Sequence, residues 1–311
     1  MVVAVTGASG IVGSVIAGHL AHENITVKKI TRPGNDVLDM AGLIKAFEGV
    51  DAVVHAAGLV SFNPRNKKQL FDVNVEGTKN VVNACLAAGT RKLVHISSVA
   101  ALGRHRRGSA INEETRWIQG MPVSDYGHSK YLAELEVFRG MEEGLHVSLV
   151  NPSVVLAAGD RSRSSAALFD YVWRQRKFYT DFNVNYVDAR DVASIVTRLV
   201  CEDHNGEKFI ASAGTVSLST LLQEIALRFQ KKAPSINVPV GLATVAAGFE
   251  ELRASITRSE PMVTRQSARA LRERLTFENE KAKRVLGTEF QSLEKTLDWC
   301  CEQYKNNLRR L

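Results

Sequence analysis

The apolar segment Val2-Val3-Ala4-Val5-Thr6 runs without interruption into Gly7-Ala8-Ser9-Gly10-Ile11-Val12-Gly13. A short unbroken apolar run reads as a strand buried on both faces. The residues from Ile11 to His22 read as a helix. A strand that passes at once into a helix needs glycine at set places. Gly7 allows the tight turn, Gly10 lets the backbone approach a bound group, and Gly13 lets helix and strand pack closely. The amides at the start of such a helix carry about half a positive charge. A pyrophosphate is the natural occupant, held across Gly7, Ser9, Gly10, Ile11, Val12 and Gly13. The spacing is GxxGxxG, not GxGxxG.

The same strand–helix alternation continues. Strands are expected at Thr26 to Thr31, Ala52 to His55, Lys92 to Ser97 and Val147 to Asn151, with helices at Asp39 to Phe47, Lys67 to Ala88 and Tyr126 to Glu143. Near-continuous apolar strands between helices predict an α/β fold, a doubly wound parallel Rossmann sheet covered on both faces. After Asn151-Pro152 the alternation weakens, although Asn185 to Val187 and Phe209 to Ala211 still read as sheet. A smaller, mainly helical C-terminal substrate domain is therefore expected, and a discontinuous one. Residues 1–155 with about 183–213 form the dinucleotide-binding part, and about 156–182 with 214–311 the substrate part. Val238 to Ile256 is amphipathic and reads as a core-facing helix more readily than as a membrane-surface one.

No stretch is long enough for an integral membrane segment. The first residues read as a strand, not as a secretory leader, so a cytoplasmic protein is expected. Cys85, Cys201, Cys300 and Cys301 form no CxxC pair and the histidines no HExxH, so no metal is expected. Cys85 sits on an apolar helix stripe and reads as a small buried hydrophobe. The net charge of +7 comes from scattered basic residues, with small clusters at Arg104, Arg106, Arg107 and at Arg174, Arg176, Lys177. No aromatic interleaving accompanies them, so the expectation is a solvated basic surface and an anionic cofactor, with no nucleic acid.

The second strand ends Lys28-Lys29-Ile30-Thr31-Arg32, without a closing carboxylate. An acid there would accept the ribose hydroxyls of NAD, whereas a guanidinium pairs with a 2′-phosphate. NADP is the expected cofactor, with NAD possible. Asp36 is a candidate acceptor for the adenine amino group, and Asp39 reads as the N-cap of the next helix. Tyr126 and Lys130 stand four apart and so share one helix face. A phenol is a poor base at neutral pH, and lowering its pKa by about three units takes about 4 kcal/mol. Lys130 is expected to supply much of that. Ser97 and Ser98 end a strand at the carboxyl edge, where such sheets bind ligands, and one of them is placed to donate to a substrate oxygen.

These pieces occur in register: the glycine turn, His55-Ala56-Ala57-Gly58, Asn74-Val75-Glu76-Gly77-Thr78, His95-Ile96-Ser97-Ser98 and Tyr126-Gly127-His128-Ser129-Lys130. Together they resemble an extended short-chain dehydrogenase/reductase of the NAD-dependent epimerase/dehydratase superfamily. Glu260 to Arg265 and Asn279 to Gly287 are similar to the tails of dihydroflavonol-reductase-like and 3β-hydroxysteroid-dehydrogenase-like members. The resemblance implies that Ser98, Tyr126 and Lys130 are catalytic, that Asn74 supports them, and that Ser97 is structural. It also implies that Ala56, Ala57, Gly58, Lys130, Pro152 and Ser153 border the cofactor. Two departures stand out. Leu102 occupies a position usually Tyr in the sugar-nucleotide epimerases, and Val99-Ala100-Ala101 replaces the acidic pair usual in sugar dehydratases. The expected function is NADP(H)-dependent reduction of an aldehyde or ketone to an alcohol. Two alternatives stand: a nucleotide-sugar epimerase or dehydratase, with Arg161, Arg163 or Arg174 as a diphosphate clamp, and a non-catalytic NADP sensor or RNA-binding relative. The resemblance implies a homodimer formed through Lys67 to Ala88 and Tyr126 to Glu143.

Overall fold

A computed structural model of the chain describes residues 1–104, 110–118, 120, 123–157, 165–242 and 275–309. Six strands, β1 (Val2–Thr6), β2 (Thr26–Ile30), β3 (Ala52–His55), β4 (Lys92–Ile96), β5 (His146–Pro152) and β9 (Glu207–Ala211), make one sheet. Its order is β2-β1-β3-β4-β5-β9 and every pairing is parallel. This is the doubly wound Rossmann arrangement the alternation predicts. The pleat sends alternate residues to opposite faces. Val3, Val5 and Val54 meet Ile16 and Leu20 of α1 (Ile11–His22) and Val192, Val196 and Leu199 of α7 (Ala189–Cys201). Ala4, Val53, Leu93 and Val147 meet Leu43 and Phe47 of α2 (Met40–Phe47), Val81 and Cys85 of α4 (Gly77–Ala88), and Val137 of α5 (Asp125–Glu142). Asp39 caps α2 as expected, its Oδ1 accepting from Gly42 N at 3.0 Å. Cys85 is fully buried.

The expected helix Lys67 to Ala88 is divided. A short α3 (Lys67–Phe71) runs into a π turn at Asp72–Glu76 before α4. Such a turn inserts an extra residue into the helical ladder, often at a functional site, and here it buries Asn74.

The second part is built from α6 (Ala166–Trp173), α8 (Leu218–Phe229) and α10 (Leu293–Arg309). Phe169, Leu222, Phe229, Leu297 and Tyr304 form its core, and Tyr304 Oη donates to Asp170 at 3.0 Å. A further helix, α9 (Glu280–Leu286), buries Ala282 and Leu286 in the core beneath the main sheet. Around the expected sheet piece Asn185 to Val187, this part carries short strands that were not expected. β6 (Val154–Leu156), β8 (Asn183–Asp188) and β10 (Gly214–Ser217) make a three-stranded sheet, and β7 (Phe178–Tyr179) pairs with β11 (Ile236–Asn237). Asn185 to Val187 therefore belongs to this smaller sheet, while Phe209 to Ala211 joins the main one. Strands of two to four residues are too short to show a period of two. No described helix is long and apolar enough to cross a membrane. Residues 243–256 of the expected amphipathic helix lie outside the described residues, as do Arg106, Arg107, Arg161, Arg163 and Glu260 to Arg265.

Candidate active site

All strands of the main sheet point the same way, so their carboxyl ends share one edge. From β1 the chain passes to β2 on one side and then crosses to β3 on the other, and this reversal opens a crevice between β1 and β3. The glycine turn lies there. Gly7 has φ +69°, and a Cβ on it would stand 2.6 Å from the backbone of Ala57. A Cβ on Gly13 would stand 2.2 Å from the carbonyl oxygen of Gly7. Both positions exclude any side chain. Gly10 is the N-cap of α1 and supplies no side-chain cap, and Ser9 and Gly10 are exposed. The first amides of α1 thus lack a side-chain partner at an open surface, a cradle that fits a pyrophosphate.

Arg32 lies just past β2 and is exposed. The expectation that no carboxylate stands near it does not hold, because the chain turns back and brings Asp36 to 3.8 Å. The Oδ1 of Asp36 also accepts from Leu38 N at 3.1 Å. Asp36 is thereby fixed by its own turn and faces the guanidinium.

The proton-transfer candidates converge further along the edge. Ser98 follows β4 and its Oγ accepts from Ala100 N at 3.1 Å. The side chain of Ser98 lies near enough to the Tyr126 phenol to hold its pKa down. α5 begins at a Ser124 cap, whose Oγ accepts from Gly127 N at 3.1 Å. That cap places Tyr126 in the first turn and Lys130 in the next. Lys130 is buried, and its Nζ donates to Ile96 O at 2.8 Å. A Cβ on Gly58 would come within 3.5 Å of that ammonium and 3.4 Å of Asn74 Oδ1. Gly58, Asn74, Ser98, Tyr126 and Lys130 therefore meet in one place. Pro152 closes β5 opposite Ala211, and the buried hydroxyl of Ser153 has no hydrogen-bond partner among the described residues. Such a group awaits a ligand or water. Ala56 and Ala57 stay close to the turn, with Ala57 N donating to Thr6 Oγ1 at 3.4 Å.

The electrostatics differ from the expectation in one respect. Burial raises the Tyr126 phenol above its ordinary pKa, and the nearby Ser98 side chain only partly offsets this. Lys130 does not lower it, because its ammonium is directed at Ile96 O. Burial also brings Lys130 down to about 8, with the charge of Glu134 acting the other way. At neutral pH the phenol is protonated and the ammonium charged.

Residues 3–211, the sheet and its crevice, match the NAD dependent epimerase/dehydratase family. The chain belongs to that family. Relatives cover it almost end to end. Sterol demethylase protein B of Methylococcus capsulatus is 26% identical over 92% of this chain and 93% of its own. A putative dihydroflavonol 4-reductase of Synechocystis is 25% identical over 97% of this chain and 94% of its own. The crystal structure of gox2253 superposes with a TM-score of 0.84 at 27% identity, covering 99% of each chain.

Asn74, named from the resemblance, acts through the backbone, and two further supporting residues, His55 and Glu134, escaped the sequence reading. Asn74 Nδ2 donates to Leu59 O at 2.9 Å and to Ser129 Oγ at 3.0 Å, and its Oδ1 accepts from Leu59 N at 2.7 Å. Both amide hydrogens are taken, so Asn74 positions the loop after β3 against α5. His55 is fully buried between Thr6 Oγ1, 2.7 Å from Nδ1, and Thr78 Oγ1, 3.0 Å from Nε2. Thr78 in turn donates to Asn74 O at 2.6 Å. Burial holds His55 near pKa 3, so it is a neutral strut. Glu134 is buried one turn beyond Lys130. It accepts from Ser97 Oγ at 2.6 Å, Asn151 Nδ2 at 2.6 Å and Lys208 Nζ at 2.7 Å. The spacing of Lys130 and Glu134 was visible in the sequence, but their partners on three strands were not.

Proposed function

We propose that this chain is an NADP(H)-dependent oxidoreductase that reduces an aldehyde or ketone to an alcohol. The observation that carries the reading is the convergence of Ser98, Tyr126 and the buried Lys130 with Gly58 and Asn74 at the carboxyl edge of the sheet, Ser98 standing near enough to the phenol to act on its pKa. Gly7, Ser9, Gly10, Ile11, Val12 and Gly13 would hold the pyrophosphate. Arg32 would take the 2′-phosphate, and Asp36 would lie toward the adenine. Ala56, Ala57, Gly58, Lys130, Pro152 and Ser153 would border the ribose and nicotinamide. When bound, the reduced nicotinamide supplies a hydride.

The chain's own residues supply the rest. Ser98 donates to the carbonyl oxygen and fixes it beside Tyr126. The phenol, protonated because burial raises its pKa, gives its proton to that oxygen as charge develops there. Lys130, buried one turn along the same helix face, holds the ribose. Asn74 keeps Gly58 and α5 in place around them. On this reading residues 1–155 with about 183–213 serve the cofactor, and 156–182 with 214–311 shape the substrate pocket.

Leu102 and the apolar Val99-Ala100-Ala101 turn support simple carbonyl reduction over the sugar-nucleotide chemistry. Of the three arginines considered for a diphosphate clamp, the described one, Arg174, is paired with Asp170 at 2.6 Å. The intact Ser98, Tyr126 and Lys130 weigh against a sensor. Oxidation of NADPH, followed at 340 nm, should be dependent on a carbonyl compound in a panel of aldehydes, flavonoid-like ketones and steroid ketones. Turnover confined to UDP-sugars would refute the reading.

A further inference from the structure

Glu134 is the least expected group near the site. It is 1% exposed, and a buried carboxylate is costly unless its oxygens are satisfied. Here both are. Oε1 takes the hydroxyl of Ser97 and the amide of Asn151, each at 2.6 Å, and Oε2 takes the ammonium of Lys208 at 2.7 Å. The second hydrogen of the Asn151 amide goes to Ser98 O at 3.0 Å. The carboxylate therefore joins α5 to the ends of β4 and β5 and to β9, immediately beneath Ser98. Along α5 the order is Tyr126, Lys130, Glu134 at successive turns of one face, and Lys208 continues the row toward solvent, being 25% exposed. Cation, anion and cation alternate from the cleft to the surface.

We propose that Glu134 is a positioning residue of this site, the fixed counter-charge that keeps the Lys130 ammonium charged beneath Tyr126, with Lys208 moderating its strength. The inference rests on the reading of Lys130 as part of the active site. Its physical basis is local. Lys130 has a neutral carbonyl, Ile96 O, as its hydrogen-bond partner, so a nearby carboxylate decides how well the buried charge is tolerated. Burial pulls Lys130 to about 8 and Glu134 opposes this. The other titratable groups packed around it do not change charge near that pH. His55 from β3 and His95 from β4 are both held neutral by burial, and the Tyr126 phenol is raised. The sign follows. Removing the carboxylate's charge disfavours the ammonium and moves its titration down. Removing the Lys208 cation leaves the carboxylate less compensated and moves it up.

The test uses the full chain labelled with lysine carrying ¹³C at Cε, with Lys130 assigned by the signal lost in Lys130→Met. Glu134→Gln should lower the Lys130 titration midpoint by about one pH unit, and Lys208→Met should raise it. Where NADPH-dependent turnover is present, its alkaline limb should move in the same two directions. Opposite shifts do not arise from general loosening of the core. Unchanged midpoints, or shifts of the same sign, would overturn the proposal. If Glu134→Gln does not fold, Lys208→Met decides alone, an upward shift supporting the proposal and any other result overturning it. Because the resonance is read without substrate or cofactor, opposite shifts in a protein with no carbonyl reduction would uphold this inference and refute the reductase reading.

Discussion

Replacing Gly13 by Ala and Gly18 by Ala makes the same chemical change twice on one helix, and the structure sets the two apart. Both residues lie in α1. Alanine in a helix interior is favoured over glycine by about 1 kcal/mol. At Gly18 nothing lies within 4 Å of the added methyl group, so that gain should appear in full. At Gly13 the methyl carbon would stand 2.2 Å from Gly7 O and 2.8 Å from Gly7 C, where ordinary contact begins at 3.4 Å. These neighbours are backbone, not a flexible side chain, so helix and turn must part by about 1 Å. Overpacking of this kind costs about 1–3 kcal/mol, which cancels or outweighs the helical gain. The helical gain is common to both, so the two variants should differ by the overpacking cost alone, about 1–3 kcal/mol, or roughly 2–12 °C in melting temperature at about 2–4 °C per kcal/mol. The displaced turn also carries the amides assigned to the pyrophosphate. NADPH affinity should fall by about tenfold or more in Gly13→Ala, since a misplacement of about 1 Å is costly in a preorganised site, and stay unchanged in Gly18→Ala. Thermal unfolding and a fluorescence titration of each variant measure both quantities. A Gly13→Ala protein as stable as Gly18→Ala and binding NADPH like the parent would refute the close-packed turn.

Two further outcomes follow from the site and the surface. The exposed Arg32 guanidinium should make NADPH bind more tightly than NADH by about tenfold or more, as charge-assisted hydrogen bonds allow, and Arg32→Asp should reverse the order; equal or better NADH affinity in the parent would count against this. The outer faces of α4 and α5, where Leu135 is 47% exposed, should pair two copies through an isologous interface, so light scattering at micromolar concentration should give twice the 34.2 kDa chain mass, and a mass of 34.2 kDa would contradict it.

The inner strands β1, β3, β4 and β5 were legible because they are buried on both faces and read as near-continuous apolar runs. The glycine turn was legible because Gly7 and Gly13 sit where no side chain fits. Tyr126 and Lys130 were legible because one helix carries both. Partnerships between elements were not. Asn74 was named only through the resemblance, and its partners Leu59 and Ser129 appear only where a π turn buries it. Glu134 reads as one more charge on α5 until Ser97, Asn151 and Lys208 arrive from three strands. Asp36 sits four residues after Arg32, yet only the turn between them shows that the two charges meet. The expected drop in the Tyr126 pKa failed for a related reason: sequence spacing puts Lys130 on the same face, but the Ile96 carbonyl directs its ammonium. The small strands β6, β7, β10 and β11 were missed because pairing, not local pattern, defines them.

Replacement of Tyr126 by Phe tests the central claim most directly. The phenol acts on the reacting oxygen, whereas most cofactor contacts lie at the glycine turn and Arg32. Steady-state reduction of a carbonyl compound that the parent accepts, measured beside NADPH binding by fluorescence, separates the two. Turnover should fall by about 10²–10⁴-fold with NADPH affinity nearly unchanged. Full activity in Tyr126→Phe would contradict the assignment of the proton donor and, with it, the active site described above.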